Sequence, residues 1–356
     1  MKITVVLGTR PEIIKMAPVL RALERRKADF FILHTGQHYS YNLDKVFFEQ
    51  LKLPQPKYNL EVGSGSHAGQ TARILIGVEK ALQKESPDIV LVLGDTNSVF
   101  AAALAAVKLH VKVGHAEAGL RSYDKGMPEE INRLLTDHCS DYLFAPTPKA
   151  KAFLLGEGVP EKRIFVTGNT IVDAVYQNLE IARKRGNTLS SLHLKPGEYF
   201  LLTLHRQENV DVPIRFLSIL KGLDKVAEEF QLPVVYPIHP HSRKRMKEFD
   251  LKSEHLTFIE PVDFLGFLQL ESNARLILTD SGGVQEESCI LGIPCVTLRD
   301  NTERPETLEV GSNILAGTIP EKILESTKTM LARKNSWQNP FGDGKAGERI
   351  VSIIES

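Results

Sequence analysis

Short runs of apolar residues recur along the chain, separated by longer stretches in which apolar positions return every three or four residues. Ile3 to Leu7, Phe30 to His34, Ile89 to Leu93, Lys112 to His115 and Tyr142 to Ala145 predict strands, with helix-like stretches such as Ile13 to Glu24 and Asn132 to His138 between them. Strands that are apolar on both faces and alternate with helices imply a parallel sheet covered on each side, because each crossover lays its helix over the sheet. The rhythm restarts at Tyr199 to Leu204 and continues through Val234 to Ile238, Leu256 to Ile259, Arg275 to Thr279 and Cys295 to Leu298. The expectation is an α/β chain of two Rossmann-like, doubly wound domains. A helical stretch from Ile171 to Lys184 and a polar one from Arg185 to Gly197 separate the two blocks. The predicted domains are therefore residues 1–170 and 171–344, and a final helix within 345–356, which could pack on either, is assigned to the first.

Composition changes this picture little. A chain of 356 residues exceeds the roughly 250–300 at which one hydrophobic core stops growing, which agrees with two domains. With 42% hydrophobic and 25% charged residues it is neither a disordered chain nor a coiled coil. Lys+Arg and Asp+Glu both number 44, so a broad basic surface for nucleic acid is not expected, although a local basic pocket for a diphosphate would not alter that sum. Apolar runs never reach the roughly 18 residues of a membrane span, and Ile3 to Leu7 is too short for a signal-peptide core. A cytoplasmic protein is expected. Cys139, Cys289 and Cys295 lack both CxxC and zinc-ligand spacing and read as buried thiols without a chemical role. His239-Pro240-His241 has no neighbouring set of Asp, Glu or Cys and reads as a loop, so no metal is expected.

In open α/β sheets, ligands bind beyond the carboxyl ends of the strands, and there the chain is rich in charge. The first strand runs into Gly8-Thr9-Arg10-Pro11-Glu12, a helix start with capping-box spacing. Arg10 and Lys15 either decorate a surface or, with the helix N-terminus, attract an anion. The stretch lacks both GxGxxG and GxxxxGK, which disfavours NAD and ATP and leaves no cofactor expected. Asp95 ends the strand before Gly94-Asp95-Thr96 turns into a helix, where it could be only a cap. Glu117 lies between Ala116 and Ala118-Gly119, small neighbours that admit a ligand. Compensation of the helix dipole would account for one of Glu129 and Glu130 at the next helix start. His205 is either structural or functional at the tip of the second block's first strand, and Asp280-Ser281-Gly282-Gly283 is a small-residue turn that aims backbone N–H groups at a phosphate.

These residues resemble the UDP-N-acetylglucosamine 2-epimerase family over nearly the whole chain. The resemblance rests on Gly8 to Lys15, Thr35-Gly36-Gln37-His38, Gly94-Asp95-Thr96, His115 to Arg121, Pro128 to Arg133, His205 to Asn209, Asp280 to Glu287 and Thr302 to Glu306. His115-Ala116-Glu117-Ala118 stands where His-Val-Glu-Ala is common, His205-Arg206-Gln207-Glu208 replaces His-Arg-Arg-Glu, and the segment after His38 is one residue longer. The resemblance implies a glycosyltransferase-B-like pair of domains, an active site in the cleft between them, and a homodimer. It implies that Ser281, Gly282 and Gly283 cradle the diphosphate and that Glu287 accepts the ribose hydroxyls. Phe267 would hold uracil through backbone groups, and Arg10, Lys15 and Arg304 would neutralise phosphate. Asp95, Glu117, Glu129 and His205 would surround the sugar and its leaving group, with the UDP-sugar as the only expected ligand and neither nucleic acid nor membrane as partner.

The chemistry of inversion at carbon 2 suits such a set. That proton has no adjacent carbonyl to stabilise a carbanion, so the expected route eliminates UDP to a 2-acetamidoglucal and adds it back. Carboxylates would move the proton, and a cluster of them should raise at least one pKa. The competing expectations are a hydrolysing epimerase that releases N-acetylmannosamine and UDP, a glycosyltransferase of the same architecture, and a silent UDP-sugar sensor.

Overall fold

The computed structural model describes residues 1–37 and 41–356, and His38 of the Thr35 to His38 motif lies outside them. The chain forms two compact units, Met1–Gln177 with Phe341–Ser356 and Asn178–Pro340. The boundary falls within the helix Thr170–Arg185 rather than at its start. Ile171, Val172, Ala174 and Val175 are buried in the early turns of this helix, while its end is held by the Gln269 side chain, whose Nε2 donates to the Ala182 carbonyl at 2.6 Å. The polar stretch after it is built into the second unit: Leu189, on the short helix Thr188–Ser191, is buried in that core beside Tyr199 and Leu270.

In the first unit β1 (Lys2–Leu7), β2 (Asp29–His34), β3 (Tyr58–Asn59), β4 (Ile89–Leu93), β5 (Lys112–Ala116), β6 (Tyr142–Ala145) and β7 (Ile164–Val166) form one parallel sheet. Its order is β3-β2-β1-β4-β5-β6-β7. The second unit repeats the plan with β8 (Phe200–Thr203), β9 (Val234–Pro237), β10 (Leu256–Ile259), β11 (Leu276–Thr279), β12 (Cys295–Thr297) and β13 (Asn313–Leu315), in the order β10-β9-β8-β11-β12-β13. Both are doubly wound sheets whose strand order reverses at one point, between β1 and β4 and between β8 and β11. A crevice opens at such a point because the crossovers leave in opposite directions.

Central strands are buried on both faces, as their continuous apolar runs require: all of Ile89 to Leu93 is at most 2% exposed. β3, β7 and β13 went unpredicted because they are short and lie at or near a sheet edge, with half-exposed positions that blur any apolar run. The final helix Ala346–Glu355 packs on the helix Arg10–Arg25 of the first unit. Its N-terminal N–H groups, which lack intrahelical partners, are taken by the Asp173 carboxylate, from Ala346 at 3.1 Å and Gly347 at 2.9 Å. No helix among the described residues is long and apolar enough to cross a membrane.

Candidate active site

The switch point of the first sheet is made by the turns after β1 and β4. They approach so closely that a Cβ on Gly8 would lie 2.2 Å from Ser98 Oγ, which only glycine avoids. Glu12, in the first turn of the helix Arg10–Arg25, ties the two turns together. Its carboxylate accepts from the Gly8 and Thr9 N–H groups on one side and from the Thr96 hydroxyl, at 2.6 Å, on the other. Burial pushes this carboxyl up to about 7; the Thr96 and Gly8 hydrogen bonds oppose the rise and the charge of Asp95 adds to it. Burial, rather than a cluster of carboxylates, is the main cause of this rise.

Asp95 is not the cap of the following helix: Thr96 is, its side chain accepting from the Val99 N–H. Asp95 is left with its carboxylate 2.6 Å from Arg133 Nη2, while its carbonyl accepts from Asn132 at 2.9 Å. Arg133 also binds Glu130 at 2.8 Å. Glu130 is buried and accepts the Ser122 and Tyr123 N–H groups, so of the two neighbouring glutamates it is the structural one. Glu129 is half-buried and, with Asp95, lines a hollow of about 310 Å³ whose other walls include Gln37, His67, Gln70, Asn97 and Asn132. Asn97 donates to Gln70 at 2.8 Å and Asn132 to Asn97 at 3.2 Å, which gives that wall a fixed set of polar groups.

Glu117 stands one strand over, at the end of β5, with a left-handed backbone at φ 65°. Such a conformation costs a non-glycine residue about 1–3 kcal/mol and persists where surrounding contacts hold it. Here they do. Lys15 Nζ lies 2.6 Å from the Glu117 carboxylate, whose second oxygen would sit 3.7 Å from a Cβ on Gly94, itself at φ 89°. Beneath them a buried network fixes the turn. His115 Nδ1 meets Asp137 at 2.7 Å while its Nε2 meets the Gly94 carbonyl at 2.8 Å, and Asp137 also takes the Gly119 N–H and the Arg121 guanidinium. Burial opposes ionisation of Asp137 most strongly, yet His115 and Arg121 together hold it below the usual carboxylate range. Arg10 lies over the Phe47 ring, 5.1 Å from its centroid.

In the second unit His205 follows β8 and is half-exposed. Its ring Nδ1 lies 3.1 Å from the fully buried Asp280 carboxylate, which also accepts the His205 and Arg206 N–H groups and the Asn209 side chain. The Asp280 carboxylate faces the Nδ1 side of the ring and leaves Nε2 on the other side. Ser281 caps the helix Gly282–Leu291, and its N–H donates to Thr279 Oγ1 at 2.9 Å. Gly282 and Gly283 begin the helix; Gly282 is buried and Gly283 exposed, and a Cβ on either would meet nothing closer than 3.7 Å. Glu287 is half-buried one turn further on. Phe267 packs its ring against the core of the unit, with its N–H donated to the Asp263 carbonyl at 2.8 Å. Arg304 pairs with Glu286 at 2.8 Å, so its charge is already shared within the unit. Both cations proposed for phosphate that lie in ion pairs, Lys15 and Arg304, thus have carboxylate partners in the protein itself.

His239-Pro240-His241 begins the helix Pro240–Glu248 instead of forming a loop. Pro240 occupies the first turn, where a missing N–H costs nothing. His239 Nδ1 accepts the His241 N–H at 3.2 Å and His241 binds Asp211 at 2.7 Å. Among the described residues no group of three or more His, Cys, Asp or Glu is arranged to hold a metal. Cys139, Cys289 and Cys295 are thiols; the first is half-buried rather than buried, and burial pushes Cys295 up to about 12.

Fold and site define a class: a two-domain, doubly wound α/β protein that presents carboxylates at one switch point and open helix N–H groups at the other. Residues 21–355 match the family model described as UDP-N-acetylglucosamine 2-epimerase. A UDP-N-acetylglucosamine 2-epimerase of Methanocaldococcus jannaschii is 57% identical over 361 residues, covering 99% of each chain. The crystal structure of Methanocaldococcus jannaschii UDP-GlcNAc 2-epimerase in complex with UDP-GlcNAc and UDP is 57% identical and covers 100% of this chain and 99% of its own, with a TM-score of 0.87. The lipopolysaccharide outer core galactosyltransferase WaaB, 15% identical with a TM-score of 0.57 over 100% of this chain and 99% of that one, shares the fold alone. The chain belongs to the UDP-N-acetylglucosamine 2-epimerase family, with a glycosyltransferase-B-like fold.

Proposed function

We propose that the protein interconverts UDP-N-acetylglucosamine and UDP-N-acetylmannosamine by losing and regaining UDP. The observation that carries this reading is the pair of carboxylates, Asp95 and Glu129, lining one hollow, with Glu117 a strand away. A carboxylate takes the C2 proton as the C1–O bond breaks; the C–H electrons form the C1=C2 bond of a 2-acetamidoglucal and UDP departs. Reversal delivers a proton to the opposite face of C2 while a phosphate oxygen re-forms the bond to C1. The route needs no hydride acceptor, because no electrons leave the sugar.

Asp95, Glu117 and Glu129 share proton removal and return, each such group being worth about 10²–10⁴-fold. The departing diphosphate is met by the cradle of Ser281, Gly282 and Gly283 at the helix start, a preorganised environment for developing charge, with His205 assisting beside it. Arg10, Lys15 and Arg304 add positive potential, Glu287 takes the ribose hydroxyls and Phe267 holds the uracil through backbone groups. Lys15 also holds Glu117 in the orientation its ion pair sets.

A homodimer suits the first unit's surface. Ile76, Ile131 and Leu135 are 50%, 40% and 43% exposed on the helices His67–Glu85 and Pro128–Cys139, beside a hollow of about 540 Å³ lined by Leu75, Phe100 and Leu104. Ile131→Asp should shift the protein to a monomer in light scattering, and an unchanged dimer would place the contact elsewhere. The three thiols suit a reducing compartment, the cytoplasm.

Product analysis tests the activity. UDP-N-acetylmannosamine accumulating from UDP-N-acetylglucosamine to a fixed ratio supports the reading. Free N-acetylmannosamine with UDP would assign the hydrolysing reaction, a sugar joined to an added acceptor a glycosyltransferase, and unchanged substrate with bound UDP a sensor.

A further inference from the structure

Glu271, on the helix Phe264–Asn273, is fully buried, and neither of its carboxyl oxygens meets a donor among the described residues. Its neighbour is another carboxyl group, that of Glu287 on the adjoining helix Gly282–Leu291, at hydrogen-bond contact. Two carboxylates are both acceptors, so the contact exists as a hydrogen bond only when a proton lies between them. Burial, and then the charge of Glu287, both favour keeping that proton on Glu271, whose pKa lies well above the ordinary value. The titratable groups that feel the charge of Glu271 from the surrounding elements are Tyr199, before β8, and Cys295, on β12. Both are held neutral near pH 7 by burial, and neither compensates an ionised Glu271.

We propose that Glu271 is a positioning residue for the nucleotide: its protonated carboxyl donates to Glu287 and presents the Glu287 carboxylate to the ribose hydroxyls. This rests on the assignment of Glu287 to the ribose. A carboxylate has about four acceptor sites, so one hydrogen bond from Glu271 leaves capacity for adjacent hydroxyls. The arrangement makes nucleotide affinity depend on a proton that never touches the ligand. The protonated form exists below the raised pKa of Glu271; as pH climbs through it, two carboxylates face each other, Glu287 is repelled, and the ribose loses its acceptor.

The test is calorimetric titration of the full chain with UDP and with 2′-deoxy-UDP between roughly pH 6 and pH 9, where raised carboxyls of this kind titrate. Glu271→Leu should bind UDP about tenfold more weakly and lose most of its preference for UDP over the deoxy form, the loss of about one hydrogen bond to a charged group. Glu271→Gln, which keeps a donor and cannot ionise, should bind UDP as the wild type does at the low end and hold that affinity at the high end where the wild type weakens. This second variant carries the test if the leucine variant does not fold. A Glu271→Gln profile that weakens in parallel with the wild type, or a Glu271→Leu protein with unchanged ribose preference, overturns the proposal. Glu287→Ala separates the two layers. If it leaves UDP affinity and ribose preference intact, the assignment of Glu287 itself fails; if it weakens both while the Glu271 variants do not, only the role of Glu271 fails.

Discussion

The two switch points share a strand order and differ in what stands on it. In the first unit the tips of β4 and β5 carry Asp95 and Glu117, and each carboxylate has a cation within 2.6 Å, Arg133 and Lys15. In the second unit the corresponding tip of β11 carries Asp280, but its carboxylate is turned inward and fully spent on the turn after β8. What that unit exposes is Gly283 at a helix start and the half-exposed ring of His205. An aspartate at a strand end thus lines a hollow in one unit and braces a turn in the other. The difference lies in which partners its neighbours supply: Thr96 takes over the capping task and releases Asp95, whereas Ser281 makes no side-chain cap bond. Topology provides the crevice; the residue beside the tip decides how the carboxylate there is engaged.

Variants that move turnover and binding separately would sharpen this contrast. The largest effect is expected for Asp95→Asn and Glu117→Gln, each lowering kcat by about 10²–10⁴-fold with UDP affinity, read by calorimetry, within about twofold of wild type. Equal losses in both would make these carboxylates structural and erase the difference between the units. Next comes the scaffold under Glu117. Asp137→Ala leaves the buried Arg121 and His115 short of their shared partner and should cost about 3–5 kcal/mol. Urea unfolding should show the loss in the transition of the first unit alone.

Glu12 yields a pH-dependent prediction of comparable but smaller size. Its carboxyl titrates near 4.5 when exposed and near 7 in the fold, so its contribution to stability is complete below about 4.5 and is lost as pH rises through about 7. The difference corresponds to about 3 kcal/mol. Glu12→Gln should therefore gain on the wild type by about that much between pH 4.5 and pH 8; a difference that stays flat across this range would mean that Glu12 does not titrate there. The smallest effect belongs to the second unit. Gly283→Val fits sterically, since its Cβ would come no nearer than 3.9 Å to Ser281 Oγ, but it crowds the open helix end. UDP should bind about tenfold more weakly, or about 1.4 kcal/mol, as read by calorimetry.

Much of this was legible in the chain. The central strands announce themselves because burial on both faces leaves an unbroken apolar run, and their tips because Gly, Asp and Ser interrupt it. Pro11 and Pro128 mark helix starts that the structure places at Arg10 and Pro128. Less visible were groups whose importance comes from a partner far along the chain. Asp137 reads as an ordinary polar position of a helix until His115 and Arg121 close around it. Arg133 looks like helix surface until Asp95 meets it, and Glu271 like a misplaced charge until Glu287 does. Glu12 was read correctly as a capping residue, yet its tie to Thr96 depends on two strands pairing in register, which local spacing does not encode. The domain edge was placed at the start of the helix Thr170–Arg185 because a helix start is a visible punctuation mark, whereas the contacts that divide the units change midway along it.

The most direct test of the central claim, that carbon 2 inverts through loss and return of UDP with proton exchange at the first unit's carboxylates, is turnover of UDP-N-acetylglucosamine in heavy water, followed by NMR. Deuterium is expected at C2 of the UDP-N-acetylmannosamine formed, at the rate of epimerisation, and neither product nor deuterium with Asp95→Asn. Product that retains its original C2 hydrogen would contradict it.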